Sequence, residues 1–416
     1  MTTFGFAFLL VLSLAAALRL WLGMRHIAHV QAHRSAVPAH FSSEVSLEAH
    51  QRAADYTAAK TRLALVSIII DIALVLWLTF GGGVQLMYET ASRWFDGDIA
   101  RGLTLIALVS IVTTLVELPL GLYRTFRIEE RFGFNKMTPS LYWIDFAKNA
   151  ALAAALGLPL AACVLWLMQV AGDYWWLYAW GVWVVFNLFM LAAYPTWIAP
   201  LFNRFSPMQD PALRERVEKL LQRCGFRVKG LVVMDGSRRS SHGNAYFTGF
   251  GKSKRIVFFD TLLARLTPPE VEAVLAHELG HFRLRHVVKR VIWIFIGSLV
   301  FLWLLDFAMR QDWFYAGLNV QARSTAVALV LFFLVVPSFT FLFQPLLSSY
   351  SRKHEFEADH YAARNASARD LVSALVKLYK DNASTLTPDP LHSAFYDSHP
   401  PALARITRLQ EARQGL

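Results

Sequence analysis

The sequence has few cysteines and few charged residues. Cysteine occurs twice in 416 residues, at Cys163 in an apolar stretch and at Cys224 in a polar one, so a disulfide framework is excluded and the polar parts are expected in a reducing compartment. Charged residues make up 17% of the chain and hydrophobic residues 55%, with a mean hydropathy of +0.38. Internal repeats and low-complexity tracts are also lacking. The composition excludes an ordinary soluble enzyme and indicates a protein that spans a membrane several times.

Apolar stretches long enough to cross a bilayer occur seven times. They lie at 4–23, 62–82, 103–123, 148–170, 174–197, 289–308 and 324–348. No basic residue precedes the first stretch and Arg19 and Arg25 follow its apolar run, so we expect a retained anchor with its N-terminus outside. We divide the chain into an N-terminal membrane region of five spans, 1–197, and a second region, 198–416, that contains two further spans and a C-terminal helical segment.

The excess of positive charge follows this topology. Of the net charge of +11, much lies in the connections 24–61, 124–147 and 198–288, which alternate with less basic ones. The positive-inside rule places these three connections, and the C-terminus with them, in the cytoplasm. The charge is thereby explained by a lipid bilayer, and no nucleic-acid partner is expected.

The polar segments predict a small α+β part beside the transmembrane helices. Hydrophobic periodicity and turn residues predict three strands, at 230–234, 245–250 and 255–259, and helices at 211–223, 351–363 and 401–413. The connection 83–102 is expected to be a loop. The fold class is therefore mainly α, a multispanning membrane protein with about seven transmembrane helices and a small α+β polar part.

The segment 267–286, TPPEVEAVLAHELGHFRLRH, contains the H-E-x-x-H pattern of zinc peptidases. A capping-box spacing and two prolines at its start predict a helix. On that helix His277 and His281 share one face and can bind one tetrahedral zinc, while Glu278 lies about 100° around the helix, where it can act on a water at the metal. The competing interpretation is a helix with two surface histidines.

A catalytic zinc needs a third protein ligand. His286 lies too far around a single helix from the two motif histidines, so we expect it to be structural. In the segment 351–362, SRKHEFEADHYA, Glu355 and Asp359 share a helical face; Glu355 can be the ligand and Asp359 can accept the free ring N–H of a liganding histidine. Glu357 points away, toward solvent or a basic neighbour. A solvated charged helix is the alternative for this segment.

Two carboxylates interrupt the apolar spans. Asp71 lies in the second stretch and Glu117 in the third, and acidic groups at membrane depth usually face a bundle interior or a water-filled cavity. They are either functional groups or members of structural pairs with a basic neighbour, and the sequence leaves both possibilities open.

Five sequence blocks resemble the type I CAAX prenyl protease family, which are integral-membrane zinc metalloendopeptidases. The blocks are IEERFGFNKMT at 128–138, HGNAYFTGFGKSKRIVFFDTLL at 242–263, the H-E-L-G-H helix, S-R-x-x-E-F-x-A-D from Ser351, and SHPPALAR at 398–405. They span nearly the whole chain in order. The resemblance implies seven transmembrane helices around a large water-filled chamber, with one zinc per chain at its cytoplasmic end.

The resemblance also implies roles for individual residues. Those expected to bind the metal are His277, His281 and Glu355. Those expected to act on the reacting groups are Glu278, as general base, and His399, near the oxyanion. Those expected to contact the substrate are Asn244 and Ala245, on an edge strand, and Arg405.

Substrate and membrane remain open at this stage. The expected reaction is hydrolysis of peptide bonds near the C-terminus of prenylated CAAX-type proteins or peptides. One alternative is a quality-control protease for non-prenylated membrane proteins; another, of a different class, is a transporter or channel with a structural zinc. The C-terminal residues RLQEARQGL contain no recognised retention signal for the endoplasmic reticulum. A bacterial cytoplasmic membrane is therefore as plausible a location as the membrane of the endoplasmic reticulum. The oligomeric state is not predicted.

Overall fold

The computed structural model describes residues 2–228, 230–248 and 255–414. Its first part is helical almost throughout. The helices and their bounds are α1 (Thr3–Ala32), α2 (Leu47–Leu78), α3 (Gly83–Trp94), α4 (Asp98–Tyr123), α5 (Pro139–Val170), α6 (Trp175–Ala193) and α7 (Ala199–Phe202).

The second part combines strands with helices. Its elements are β1 (Phe205–Pro207), α8 (Pro211–Arg223), β2 (Gly230–Met234), β3 (Ala245–Thr248), β4 (Arg255–Phe259), α9 (Asp260–Leu263), α10 (Pro268–Arg283), α11 (His286–Met309), α12 (Asp312–Gly317), α13 (Thr325–Thr340), α14 (Gln344–Asn365), α15 (Ala368–Asp381), α16 (Pro390–Tyr396) and α17 (Ala402–Gln414).

Seven helical segments among the described residues are long and apolar enough to cross a membrane, which confirms the predicted number. They are Thr3–Ala32, Leu47–Leu78, Asp98–Glu129, Pro139–Val170, Gly172–Phe202, His286–Met309 and Thr325–Asn365. The predicted span 62–82 extends too far, because α2 ends at Leu78 and Gly82 adopts a φ of +78° that a glycine tolerates and a helix does not. The connection 83–102, expected to be a loop, contains α3.

The polar elements form one layer of sheet covered by helices. The strand order is β1-β2-β4-β3, with β2 and β4 parallel and the outer pairs antiparallel. β2 and β4 have the predicted bounds; β3 ends at Thr248, and residues 249–250 of the predicted strand lie outside the described part of the chain. The short strand β1 was not predicted. Buried residues of the sheet, such as Ile256 and Phe258, pack with Leu275 and Leu279 of α10 into one core.

The helix α10 is held at its start and interrupted after its end. Thr267 and Glu270 form the predicted capping box. The prediction of a single helix over 267–286 was wrong: α10 ends at Arg283, Arg285 has a φ of +58°, and His286 begins α11. A non-glycine residue in the left-handed region is uncommon. The break re-aims His286 relative to the histidines of α10.

Helix α14 packs closely on α10. A Cβ placed on Gly280 would lie 3.0 Å from the Cα of Ala358 and 3.1 Å from its carbonyl oxygen, so the two backbones approach each other as only a glycine permits. Because the H-E-x-x-H histidines flank Gly280 on one helix and Glu355 lies one turn before Ala358 on the other, this contact brings the two sets of side chains together.

Candidate metal centre

Three side chains converge where α10 faces α14. The Nε2 atoms of His277 and His281 are 3.2 Å apart. Glu355 lies opposite them, with Oε2 3.5 Å from His277 Nε2 and Oε1 3.4 Å from His281 Nε2. His281 on α10 and Glu355 on α14 lie 74 residues apart in the chain. The ligand atoms of His277, His281 and Glu355 are close enough together to hold one metal ion.

The donor spacing fits a tetrahedral zinc. Ligand bonds of about 2.0–2.2 Å at tetrahedral angles separate neighbouring donor atoms by about 3.3–3.6 Å. The two histidine nitrogens are 3.2 Å apart, and each lies 3.4–3.5 Å from one of the two oxygens of Glu355. Glu355 Oε2 is buried without a hydrogen-bond partner. A buried carboxylate oxygen without a donor is costly unless a cation completes it, so the residues present fit the expected metal.

The outer nitrogen of His277 is bound by a buried carboxylate. Its Nδ1 lies 2.9 Å from Asp359 Oδ1, and Arg405 donates to both oxygens of Asp359 over 2.6 and 2.8 Å. Although burial favours the neutral imidazole, the hydrogen bond to Asp359 and the nearby carboxylate of Glu355 raise the pKa of His277 to about 9. Without metal His277 is therefore protonated at neutral pH, and it must release a proton when a metal binds to Nε2.

Arg405 is placed as a support for this carboxylate. Its side chain comes from α17 and is 5% exposed. Burial lowers the pKa of the guanidinium, but the hydrogen bonds to Asp359 outweigh burial and keep that pKa above its ordinary value. Arg405 was expected to contact substrate; in this structure it contacts Asp359, Nδ1 of His277 at 3.4 Å and, at 3.8 Å, Glu355.

The outer nitrogen of His281 has a different partner. Its Nδ1 is 3.0 Å from Nδ1 of His286, and the Nε2 of His286 is 2.9 Å from Glu357 Oε2. Glu357 points away from the three donors, as predicted, and Lys353 is a basic neighbour at 4.0 Å. The local pattern of α14 gave no signal that Glu357 would meet His286, because that contact depends on the break at Arg285.

Two further predicted residues border the group. Glu278 is half-buried on α10, and among the described residues no hydrogen bond or ion pair engages its carboxylate. His399 lies just before α17 with 62% of its side chain exposed, and its Nε2 is 3.4 Å from Glu355 Oε1. Both side chains can therefore reach a group held at the three donors from the open side.

The predicted substrate residues lie at the edge of the sheet. Asn244 is exposed and precedes β3, and its carbonyl accepts the N–H of Phe259. Ala245 begins β3, which pairs with β4 on one side and has no second partner strand within the described residues. Phe247 of this edge strand packs on Phe282 of α10 at a ring distance of 4.9 Å. The free edge thus runs beside the helix that carries the histidines.

The fold and the site together define a membrane-spanning metallopeptidase. A family model described as "CAAX prenyl protease N-terminal, five membrane helices" matches residues 26–204, and one described as "Peptidase family M48" matches residues 207–413. The chain belongs to the family of CAAX prenyl protease 1 and its homologues. A peptidase of this family implies a bound metal.

Individual relatives cover most of the chain. A CAAX prenyl protease 1 homolog of Arabidopsis thaliana is 38% identical over 314 residues, which are 75% of this chain and 74% of that protein. CAAX prenyl protease 1 of Saccharomyces cerevisiae is 36% identical over 75% of this chain and 72% of its own. The crystal structure of S. mikatae Ste24p superposes with a TM-score of 0.92 at 30% identity, covering 98% of this chain and 99% of that one.

Proposed function

We propose that the protein is a zinc endopeptidase that hydrolyses peptide bonds near the C-terminus of prenylated CAAX-type proteins or peptides. The observation that carries the proposal is the spacing of His277, His281 and Glu355, whose donor atoms are separated as the ligands of one tetrahedral zinc would be. The prenylated substrate class is taken from the relatives, which are named CAAX prenyl proteases.

The residues around this centre have separate tasks. When bound, zinc would act as a Lewis acid that activates water and polarises the scissile carbonyl. Glu278, whose carboxylate is otherwise unengaged, takes the proton of the attacking water and later delivers it to the leaving amine. His399, with its ring nitrogen facing Glu355, donates to the developing oxyanion. Asp359 holds His277 in the tautomer that presents Nε2, and Arg405 holds Asp359.

The substrate is proposed to bind as an added strand. The free edge of β3 can exchange main-chain hydrogen bonds with an extended peptide, with Asn244 and Ala245 as the first contacts. An extended C-terminal tail meets this requirement and a folded domain does not. Arg405 was also predicted to contact the peptide, and this remains a secondary proposal beside its support of Asp359.

A chamber inside the membrane part would accept the prenyl group. In five of the seven spans only 6–11% of the apolar window is buried within the chain, so most of it faces either lipid or an interior space. Asp71 and Glu117 line a cavity between spans together with Arg19. The same cavity is compatible with a functional role for the two carboxylates or with a structural pairing to Arg19.

We also propose a location in the membrane and a division of the chain into two regions. We propose that the metal centre lies on the cytoplasmic side of the membrane, on the basis of the basic connections, and that this membrane is either a bacterial cytoplasmic membrane or that of the endoplasmic reticulum. We propose the division into a membrane region, 1–197, and a metallopeptidase region, 198–416. One zinc per chain is expected.

The test compares matched peptides with and without a C-terminal prenyl-cysteine, using the full chain purified in detergent and its Glu278→Gln variant as a blank. Preferential cleavage of the prenylated peptide supports the proposal. Equal cleavage of both peptides would instead assign the enzyme to quality control of non-prenylated substrates. One zinc per chain with no cleavage of either peptide would favour the transporter or channel with a structural metal.

A further inference from the structure

The two motif histidines differ in what binds their outer nitrogens. His277 Nδ1 meets the carboxylate of Asp359 directly, at 2.9 Å. His281 Nδ1 meets a second imidazole, His286, at 3.0 Å, and only the far nitrogen of that ring meets a carboxylate, Glu357, at 2.9 Å. The proposed function gives a role to the contact between His277 and Asp359. It gives none to the contacts that join His281, His286 and Glu357.

The proton positions in the second arrangement follow from the proposed function. If His281 presents the lone pair of Nε2 to a metal, its neutral ring carries the proton on Nδ1. That N–H donates to Nδ1 of His286, which must then be unprotonated. His286 consequently carries its proton on Nε2 and donates to the carboxylate of Glu357. Each ring is fixed in one tautomer by its neighbour.

The ring of His286, which lies between His281 and Glu357, is buried and stacks on another ring. His286 is 4% exposed, and the ring of His354 stacks on it at 4.0 Å with an angle of 6° between the planes. Tyr350 in turn packs edge-on against His354 at 4.3 Å. α10 ends at Arg283, and the left-handed conformation of Arg285 redirects the chain so that His286 begins α11. A backbone conformation this uncommon is maintained only where the surrounding structure enforces it.

A second metal ion is the competing explanation. Donor atoms of His286, His354 and Glu357 lie within 4.8 Å of one another. The two rings, however, are almost parallel, so the in-plane lone pairs of their nitrogens point along separate planes and do not converge at the roughly 2.1 Å that a zinc–nitrogen bond requires. Both nitrogens of His286 are also engaged already. The geometry favours hydrogen bonding over coordination.

We propose that His286 and Glu357 are positioning residues that orient His281 as a metal ligand and fix its tautomer. The inference rests on the proposed function, because it assumes that His281 binds the metal through Nε2. It also defines the structural role expected of His286, and it predicts that Glu357→Gln changes little. The glutamine amide oxygen can still accept the His286 N–H, whereas alanine cannot.

The experiment measures the zinc dissociation constant of the full chain in detergent, by competition with a chelator. Glu357→Ala and His286→Phe should each weaken zinc binding by about 10–100-fold, the range found for residues that support metal ligands. Glu357→Gln should stay within about threefold of the parent protein, because it keeps an acceptor. His286→Phe keeps a ring to stack on His354, and equal thermal unfolding of the metal-free proteins verifies that each variant folds, because bound zinc would itself stabilise the tighter binders more.

Lys353→Gln is the matched control, because it removes the ion pair of Glu357 and leaves the hydrogen bond to His286. Parent-like zinc affinity is expected for it. The inference is overturned if Glu357→Ala and His286→Phe bind zinc like the parent, if Lys353→Gln weakens binding as much as Glu357→Ala does, if Glu357→Gln is as weak as the alanine variant, or if the parent binds two zinc ions. Failure of the proposed function is distinct: the zinc-loaded parent protein would then cleave neither peptide, while the order of zinc affinities among the variants stayed as expected.

Discussion

The two motif histidines are each supported by a carboxylate, but the two carboxylates lie in different surroundings. On the side of His277, the supporting Asp359 is buried and paired with a buried Arg405. On the side of His281, the supporting carboxylate is Glu357, with 36% of its side chain exposed, and a neutral ring stands between it and the ligand. Electrostatic interactions weaken with exposure to water. Changes on the buried side should therefore cost more than equivalent changes on the exposed side.

Replacing the third ligand should have the largest effect of all. Glu355→Gln removes the only carboxylate among the three donors and leaves a neutral amide between two histidines, so zinc and peptidase activity should be lost together. The measurement is zinc per mole of purified protein beside the peptidase rate. A variant that retains its zinc would mean that another side chain closes the site. The parallel Glu357→Gln variant serves as the control, because it lies on the same helix and should keep its zinc.

The general base should have a large effect on rate alone. Glu278→Gln removes the group that accepts the water proton but none of the three donors, so kcat should fall by about 10²–10⁴-fold with zinc content unchanged. Zinc analysis and single-turnover hydrolysis of one peptide provide the two readouts. Normal turnover by a zinc-loaded Glu278→Gln protein would refute the mechanism.

The sharpest comparison between the two sides uses their supporting carboxylates. Asp359→Asn should weaken zinc affinity or activity by about 10–100-fold, since it replaces the charged acceptor of His277. It also removes the carboxylate charge closest to the buried Arg405 and leaves only Glu355, at 3.8 Å, to pair with it. Breaking a buried pair typically costs about 3–5 kcal/mol, so the variant should unfold at a lower temperature. Glu357→Gln should do neither. If both variants unfold like the parent protein, burial does not distinguish the two sides.

The smallest effect is expected at the edge strand. Asn244→Ala should weaken substrate binding and turnover by roughly tenfold, the equivalent of about one hydrogen bond, with zinc content unchanged because Asn244 contacts none of the three donors. The peptide KM and zinc per mole are measured on the same preparation. Depletion of metal, or loss of folded protein, would assign Asn244 a structural role.

Local patterns predicted the elements that local interactions determine. The apolar spans, the capping box at Thr267 and the strands β2 and β4 depend on residues close in sequence, and each is found in the structure. The helix break at Arg285 was missed, because the apolar pattern continues through it. The support of Asp359 by Arg405 was also not predicted, because their contact joins residues 46 positions apart. Nothing in α14 or α17 alone encodes that pairing.

The glycine of the H-E-L-G-H motif sets a limit on how the whole protein can vary. A methyl carbon added at position 280 would lie 3.0 Å from the backbone of Ala358, whereas ordinary van der Waals contact needs about 3.4 Å or more. An alanine at position 280 would push α14 outward by a few tenths of an ångström, and Glu355 would move with it. Metal–ligand distances tolerate shifts of only about 0.2 Å. A single methyl group is far too small to block access to the metal centre. By separating α10 from α14, it would nevertheless disturb the metal–ligand distances.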